Sequence, residues 1–140
     1  MKRVAKHLRE RALAIDDGDE ADLFARSAFN RYYYSAYLIV RSGIQGLDPK
    51  WSGNVAHAQI PDMLRGQINS ELRKHKNAAV KINDKDLVKA LDLSVNAAKS
   101  LAEMMEKGRY ARVSADYNPE IKVIFSGVDG FSLNEVPVDQ

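Results

Sequence analysis

One segment, residues 27–38, constrains the fold of this chain more than any other. It reads Ser-Ala-Phe-Asn-Arg-Tyr-Tyr-Tyr-Ser-Ala-Tyr-Leu and crowds aromatic side chains around an internal arginine. On a helix, residues three or four apart share a face. One such stripe contains Arg31, Tyr34, Leu38 and Arg41. A second stripe contains Phe29, Tyr33, Tyr37 and Val40. We expect the second stripe to face the core, which leaves the first as a polar margin or as part of a site.

The remaining sequence is typical of helices, because four prolines and eight glycines in 140 residues leave long stretches uninterrupted. A first helix is predicted over about residues 2–15. The second is predicted to start at an Asp19 N-cap and to reach about Val40 or Ser42, where Gly43, Gly46 and Pro49 end it. Trp51 lies in the loop that follows, where a single tryptophan usually anchors the loop to the core.

Two further helices are predicted downstream. The third begins near Asn54 or Val55 and runs to about His75, with Pro61 as a kink or as the first position of its main part. Residues 73–76, at the predicted C-terminus of this helix, are rich in basic side chains, whose positive charge would complement the helix dipole. The fourth runs from an Asn83 N-cap to about Val113. Its apolar stripe contains Leu87, Leu91, Val95, Ala98, Leu101, Ala102 and Met105.

After residue 119 the hydrophobic period changes from that of a helix to that of a strand. Residues 121–125 and 131–133 flank a Gly-Val-Asp-Gly turn, which predicts a hairpin. A lone hairpin is marginal in water, so we expect it to pack on the chain's own helices, or otherwise on a second subunit or a partner. The predicted fold is therefore all-α, an up-and-down bundle of four to five helices over residues 1–119. Residues 120–140 form a C-terminal hairpin extension of the same domain.

Composition excludes several function classes. The chain contains 21 basic and 19 acidic residues. The resulting net charge of +2 is too small to indicate a nucleic-acid binder. It contains no cysteine, which excludes disulfides, zinc-thiolate sites and thiol catalysis and fits a reducing cytoplasm. No apolar run approaches the roughly eighteen residues that span a membrane, and the charged start differs from a signal peptide. We therefore expect a cytoplasmic protein.

Two runs of residues resemble a known superfamily. Residues 28–38 follow an acidic turn at residues 16–20, and residues 112–119 read Arg-Val-Ser-Ala-Asp-Tyr-Asn-Pro. The first run resembles the signature helix of HEPN domains, the higher eukaryotes and prokaryotes nucleotide-binding superfamily. The second resembles the Arg-x-x-Ala-Asp-Tyr-x-Pro run that often closes the last helix of these domains. The resemblance implies a homodimer of the RNA-targeting, toxin–antitoxin and defence branch, with no cofactor and no metal.

One departure from the superfamily pattern bears on chemistry. In HEPN ribonucleases four to six residues lie between the arginine and a histidine on the same face, and the matching position here is Leu38. None of the ten arginines has His7, His57 or His75 at that spacing. Acid–base help from an imidazole is typically worth about a hundred- to ten-thousand-fold in rate, and leucine supplies none. The resemblance therefore supports the fold and argues against the usual cleavage.

Arg31 is the residue that we single out, with Tyr34, Arg41 and Asn30 as further ligand-binding candidates. In HEPN relatives the matching arginine faces a cleft between subunits and contacts the scissile phosphate. A dimer axis would bring two copies of Arg31 together, a costly pairing that an anion would relieve. The alternative is a structural arginine that bridges to a carboxylate such as Asp116. The acidic turn at residues 16–20 is expected to be solvated, because no histidine pattern completes a metal site there.

Three functional hypotheses stay open at this point. The first is a catalytically degenerate HEPN-like domain that binds RNA, a nucleotide or a partner protein around Arg31. The second is an active, metal-independent ribonuclease that uses His57, with Tyr34 as a helper. The third is a structural or antitoxin-like subunit that binds a second protein through apolar surface on the hairpin or the fourth helix.

Overall fold

The computed structural model describes residues 1–51, 53, 55–127 and 130–138, the side chain of Pro49 excepted. Of the described residues 76% are helical, and a small three-stranded antiparallel sheet follows the last helix, which confirms the predicted all-α fold with a C-terminal β extension. It divides into two compact units. Unit 1 comprises Met1–Gly53 and Lys107–Gln140, and unit 2 comprises Asn54–Glu106.

Two helices form the first half of unit 1. Helix α1 covers Lys2–Ala14 and α2 covers Gly18–Leu47. The N-cap of α2 is Asp17, whose carboxylate accepts hydrogen bonds from the backbone N–H groups of Asp19 and Glu20. The prediction of Asp19 as the cap was wrong, because Asp19 already lies in the first helical turn, where its charge favours the helix dipole.

The Asp17 cap gives a prediction about stability. We expect Asp17→Ala to lower the free energy of unfolding by about 1 kcal/mol, since two N-terminal N–H groups lose their acceptor. Asp19→Ala removes the same charge from the same turn without removing a cap, so its loss should be smaller. Urea unfolding followed by circular dichroism measures both variants. An equal loss in the two would mean that charge, and not the cap hydrogen bonds, stabilises this end of the helix.

Helix α2 is longer than predicted. Gly43 and Gly46 both lie inside it, and the helix ends at Leu47. Ile44 is 2% exposed, so the last turns are held by packing, which offsets the roughly 1 kcal/mol that each glycine costs relative to alanine. Asp48 is extended (φ −153°, ψ 130°), as expected for a residue that precedes proline.

The loop after α2 begins with a short 3₁₀ turn, Pro49–Trp51. Trp51 is only 8% exposed, which confirms its role as an anchor for this loop. The Nζ atom of Lys50 lies 4.8 Å from the centroid of the Trp51 ring, a cation–π contact at the outer side of the turn.

The C-terminal sheet packs on the helices of unit 1. Its strands, β1 (Ile124–Ser126), β2 (Gly130–Leu133) and β3 (Val136–Pro137), are antiparallel in that order, so the predicted hairpin has a third strand. Val128 and Asp129 of the predicted turn lie outside the described residues. The ring of Phe131 on β2 meets that of Phe29 on α2 edge-to-face, with centroids 5.6 Å apart. The extension is therefore part of the core of unit 1.

Unit 2 begins with three consecutive helical segments: α3 (Gln59–Met63), a π-helical turn (Leu64–Ile68) and α4 (Asn69–Lys81). Pro61 lies in the first turn of α3, where its missing N–H costs nothing, and it does not break the helix. The predicted end at His75 was wrong. Because α4 continues to Lys81, the basic residues 73–76 lie within the helix and not at its C-terminus.

The last helix, α5 (Lys85–Tyr117), also differs from prediction at both ends. The carboxylate of Asp84 accepts the N–H of Leu87 at 3.0 Å, so Asp84 replaces Asn83 as the capping side chain. Asn83 instead has a left-handed backbone (φ 57°), which asparagine tolerates. Leu87 is 43% exposed and lies outside the core. The buried members of the predicted stripe in unit 2 are Val95, Ala98, Ala102 and Met105.

Candidate nucleic-acid interface

The orientation of α2 decides which side chains of the signature segment reach solvent. Phe29, Tyr33 and Tyr37 are 5%, 6% and 4% exposed, so the stripe predicted to be core is buried. On the other face Arg31 is exposed, and Tyr34 and Leu38 are each 37% exposed. The two stripes of the sequence are therefore an inner and an outer face of one helix.

The end of α5 lies antiparallel to α2 and supplies a polar network beside this face. The Asn30 amide nitrogen donates to Oδ1 of Asp116 at 2.6 Å, and the other carboxylate oxygen pairs with Arg112 at 3.0 Å. Both oxygens of Asp116 thus have a partner, and the predicted alternative of an Arg31–Asp116 bridge is not formed. Asn30 positions α5 against α2 through its amide nitrogen.

Arg31 makes no hydrogen bond or ion pair with the part of the chain that the structure describes. Its guanidinium carries five donors in a planar fork that suits a phosphate or a carboxylate. An exposed arginine usually needs no partner, because water solvates it. Here the carboxylate predicted as its alternative partner, Asp116, is already bonded through both oxygens to Asn30 and Arg112.

Tyr34 lies one helical turn beyond Arg31 and offers an aromatic surface. Its ring centroid is 5.9 Å from that of the buried Tyr37, and the planes are tilted by 37°. This contact restricts the Tyr34 ring, while more than a third of the side chain stays accessible. A partly exposed, supported aromatic ring beside an arginine is the combination that single-stranded nucleic acids use for stacking and phosphate contact.

Arg41, the last member of the exposed stripe, is half-buried. Its Nε atom is buried and has no hydrogen-bond partner in the described structure. Ten residues of helix separate Arg41 from Arg31, about 15 Å along the axis. At that separation along the helix, Arg41 could serve a neighbouring part of an extended ligand.

Two arginines of α5 place positive charge near Tyr33, on the inner face of α2. Burial raises the pKa of Tyr33, while the charges of Arg109 and Arg112 act in the opposite direction. Both guanidinium groups are thus close enough to Tyr33 for their fields to matter. A Cβ atom added at Gly108 would lie 3.2 Å from the Tyr33 ring, which fixes how closely α5 approaches. The sequence prediction missed Arg109, although its spacing from Arg112 places both on one side of a helix.

The most heavily bonded arginine of unit 1 is Arg26, which the sequence prediction did not single out. Its Nε atom lies 2.5 Å from Oδ2 of Asp22, and both side chains are about nine-tenths buried. Its terminal nitrogens donate to the carbonyl oxygens of Ser114, Ala115, Asn118, Pro119 and Ile121. The second oxygen of Asp22 accepts the N–H of Val123 at 2.9 Å. This pair satisfies carbonyls that the end of α5 leaves open and holds the Ala-Asp-Tyr run against α2.

Two residues, Leu38 and His57, bear on the question of catalysis. Leu38 occupies the position of the HEPN histidine and lies seven residues beyond Arg31, about 10 Å along α2. His57 belongs to unit 2, whereas Arg31 belongs to unit 1.

The described residues contain no group of three or more acidic, histidine or cysteine side chains that could hold a metal ion. Within the same residues, no helix has the length and hydropathy to cross a bilayer.

Comparison of the chain with protein-family models, with curated proteins and with solved structures found no match. The likeness to HEPN domains therefore depends on residues 28–38 and 112–119 alone. In the structure these two runs face each other in unit 1, joined by the Asn30–Asp116 hydrogen bond. Their contact is a property of the fold and does not depend on the resemblance.

Proposed function

We propose that this chain is a HEPN-like domain of the RNA-targeting toxin and defence lineage that binds RNA without cleaving it. The RNA contacts the exposed face of α2, where Arg31 binds a phosphate and Tyr34 stacks on a base. The observation that carries the proposal is that Arg31 is exposed and has no partner among the described residues, while both oxygens of Asp116 are bonded to Asn30 and Arg112. In this proposal the protein acts in the cytoplasm.

The chemistry of position 38 supports binding over catalysis. Cleavage by the RNA's own 2′-hydroxyl needs a group that can move a proton near neutral pH, and histidine is the side chain suited to that task. Leu38 is on the same face as Arg31 and is partly exposed, so it presents a methyl surface where HEPN ribonucleases present an imidazole. A leucine there can contact a base or a ribose but cannot transfer a proton.

A homodimer is part of the proposal. If two copies associate through α2, their symmetry axis brings both Arg31 side chains to one cleft. Two guanidinium groups repel each other unless an anion lies between them, so phosphate binding and dimerisation would strengthen each other. The exposed apolar side chains on α2, Leu38 and Ile39 at 37% and 68%, supply surface for such a contact.

The proposal predicts a specific loss of affinity. We expect Arg31→Ala to weaken binding of a fluorescein-labelled single-stranded RNA by roughly ten-fold or more, since a charge-assisted contact to phosphate is lost. Arg3→Ala is the matched control, because Arg3 is an exposed arginine of α1 whose loss changes the net charge equally. Fluorescence anisotropy at two salt concentrations measures the dissociation constants. Equal losses in the two variants would reduce the effect to net charge and contradict the proposal.

The competing hypothesis of a partner-binding subunit has one observation in its favour. On the edge strand β1, Ile124 and Phe125 are 66% and 38% exposed, so the extension presents apolar surface and an open strand edge. That hypothesis predicts no measurable affinity of the wild type for RNA in the same anisotropy experiment. It is therefore separated from our proposal by the wild-type measurement alone.

A further inference from the structure

Unit 2 contains a surface groove between α4 and the first half of α5, remote in sequence from the signature segment. Its volume is about 360 Å³. That volume lies near the lower end of the roughly 300–1,000 Å³ usual for small-molecule sites. Three cations, one carboxylate and two amides line it: Arg73, Lys76, Lys99, Asp92, Asn77 and Asn96.

The polar groups of the groove are arranged to receive a ligand. Lys76 is oriented by Oδ1 of Asp92 at 2.6 Å, and Arg73 uses only its Nε, which donates to Asn69 at 3.3 Å. Its two terminal guanidinium nitrogens, and the side chains of Lys99, Asn77 and Asn96, have no partner among the described residues. Unit 2 thus concentrates several unused donors in one concave place.

The charge and polarity of the lining indicate the class of ligand. Three cations against one carboxylate leave an excess of two positive charges, which a phosphate monoester dianion would neutralise. The lining contains no aromatic ring and one aliphatic side chain, Val95, so it offers no platform for a nucleobase. The amides of Asn77 and Asn96 can each donate and accept, which suits the hydroxyl groups of a sugar.

We propose that this groove binds a compact phosphate ester of the sugar-phosphate class, with Arg73 and Lys99 on the phosphate and the two asparagines on the sugar. Every group that forms this site belongs to unit 2, and none of them is a residue of the RNA face proposed on α2. A negative result for this site would therefore leave the function proposed for Arg31 unaffected, and the reverse also holds.

Ribose 5-phosphate is the probe for this site, with ribose and inorganic phosphate as comparison ligands. Calorimetry gives the affinity, and NMR follows the side-chain amide signals of Asn77 and Asn96. We expect Lys99→Gln to weaken binding by roughly ten-fold or more. Lys89→Gln removes an exposed lysine from the same helix outside the groove and should leave the dissociation constant unchanged. Arg31→Ala should also leave it unchanged.

Four results would overturn the proposal. The first is that neither asparagine signal moves at about 10 mM probe, a concentration that detects even millimolar affinity. The second is an equal loss of affinity from Lys99→Gln and Lys89→Gln. The third is inorganic phosphate binding as tightly as the ester, which would remove the sugar from the assignment. The fourth is RNA, and not the ester, moving these signals, which would make the groove a nucleic-acid contact.

Discussion

Replacement of Arg26 by methionine is expected to lower the free energy of unfolding by about 3–5 kcal/mol. The reason is that Asp22 would keep a buried negative charge without its partner, since its side chain is only 10% exposed. The same change leaves the backbone carbonyls at the end of α5 without the donors that Arg26 supplies. A loss of this size is a large fraction of the stability of a typical small domain.

Arg31→Met is the matched control, because it removes an exposed arginine from the same helix and should change stability by less than about 0.5 kcal/mol. Urea unfolding of both variants, followed by circular dichroism, gives the two values. If Arg26→Met also loses less than about 1 kcal/mol, the pair with Asp22 does not hold the end of α5 to α2 as described.

Leu38→His is expected to create RNA cleavage where the wild type has none. The substitution places an imidazole, with an ordinary pKa near 6.5, on the exposed face of α2 beyond Arg31. Acid–base help of this kind is typically worth about a hundred- to ten-thousand-fold in rate, so the product should be readily detected over the wild-type background. The side chain at this position is 37% exposed, so the polar ring needs no repacking of the core.

Two variants make that result specific. Leu38→Gln has comparable polarity without a titratable ring and should stay inactive, and Leu38→His combined with Arg31→Ala should lose the activity gained. The readout is gel analysis of a labelled RNA, with a cyclic phosphate at the new 3′ end. Cleavage that persists without Arg31 would mean that the histidine acts outside the proposed site.

The helices were predictable because their signals are local. The period of apolar residues and the acidic turn placed both ends of α1, and the starts of α2 and α5, within two residues. The errors arose where tertiary packing overrides local propensity. Gly43 and Gly46 are poor helix formers, yet the helix continues past both to Leu47, where the buried Ile44 holds its last turns. A short stretch of sequence does not show that Ile44 is buried.

The site was predictable only in part, for a similar reason. Periodicity alone separated Tyr33 and Tyr37 from Arg31 correctly, because it reports which residues share a helical face. It could not report that Asp116 pairs with Asn30, since these two residues are 86 positions apart in the chain. The β extension has the same origin: residues 121–123 fit a strand pattern, but the N–H of Val123 bonds to Asp22, so β1 begins at Ile124.

The measurement that tests the central claim most directly uses the wild-type protein and total cellular RNA. The protein is captured after incubation, and the RNA that it retains is compared in amount and length with RNA incubated alone. Our account predicts retained RNA of unchanged length, in smaller amount with Arg31→Ala than with Arg3→Ala. Shortened RNA in the wild-type sample that is absent with Arg31→Ala would contradict it, because the chain would then be a ribonuclease despite Leu38.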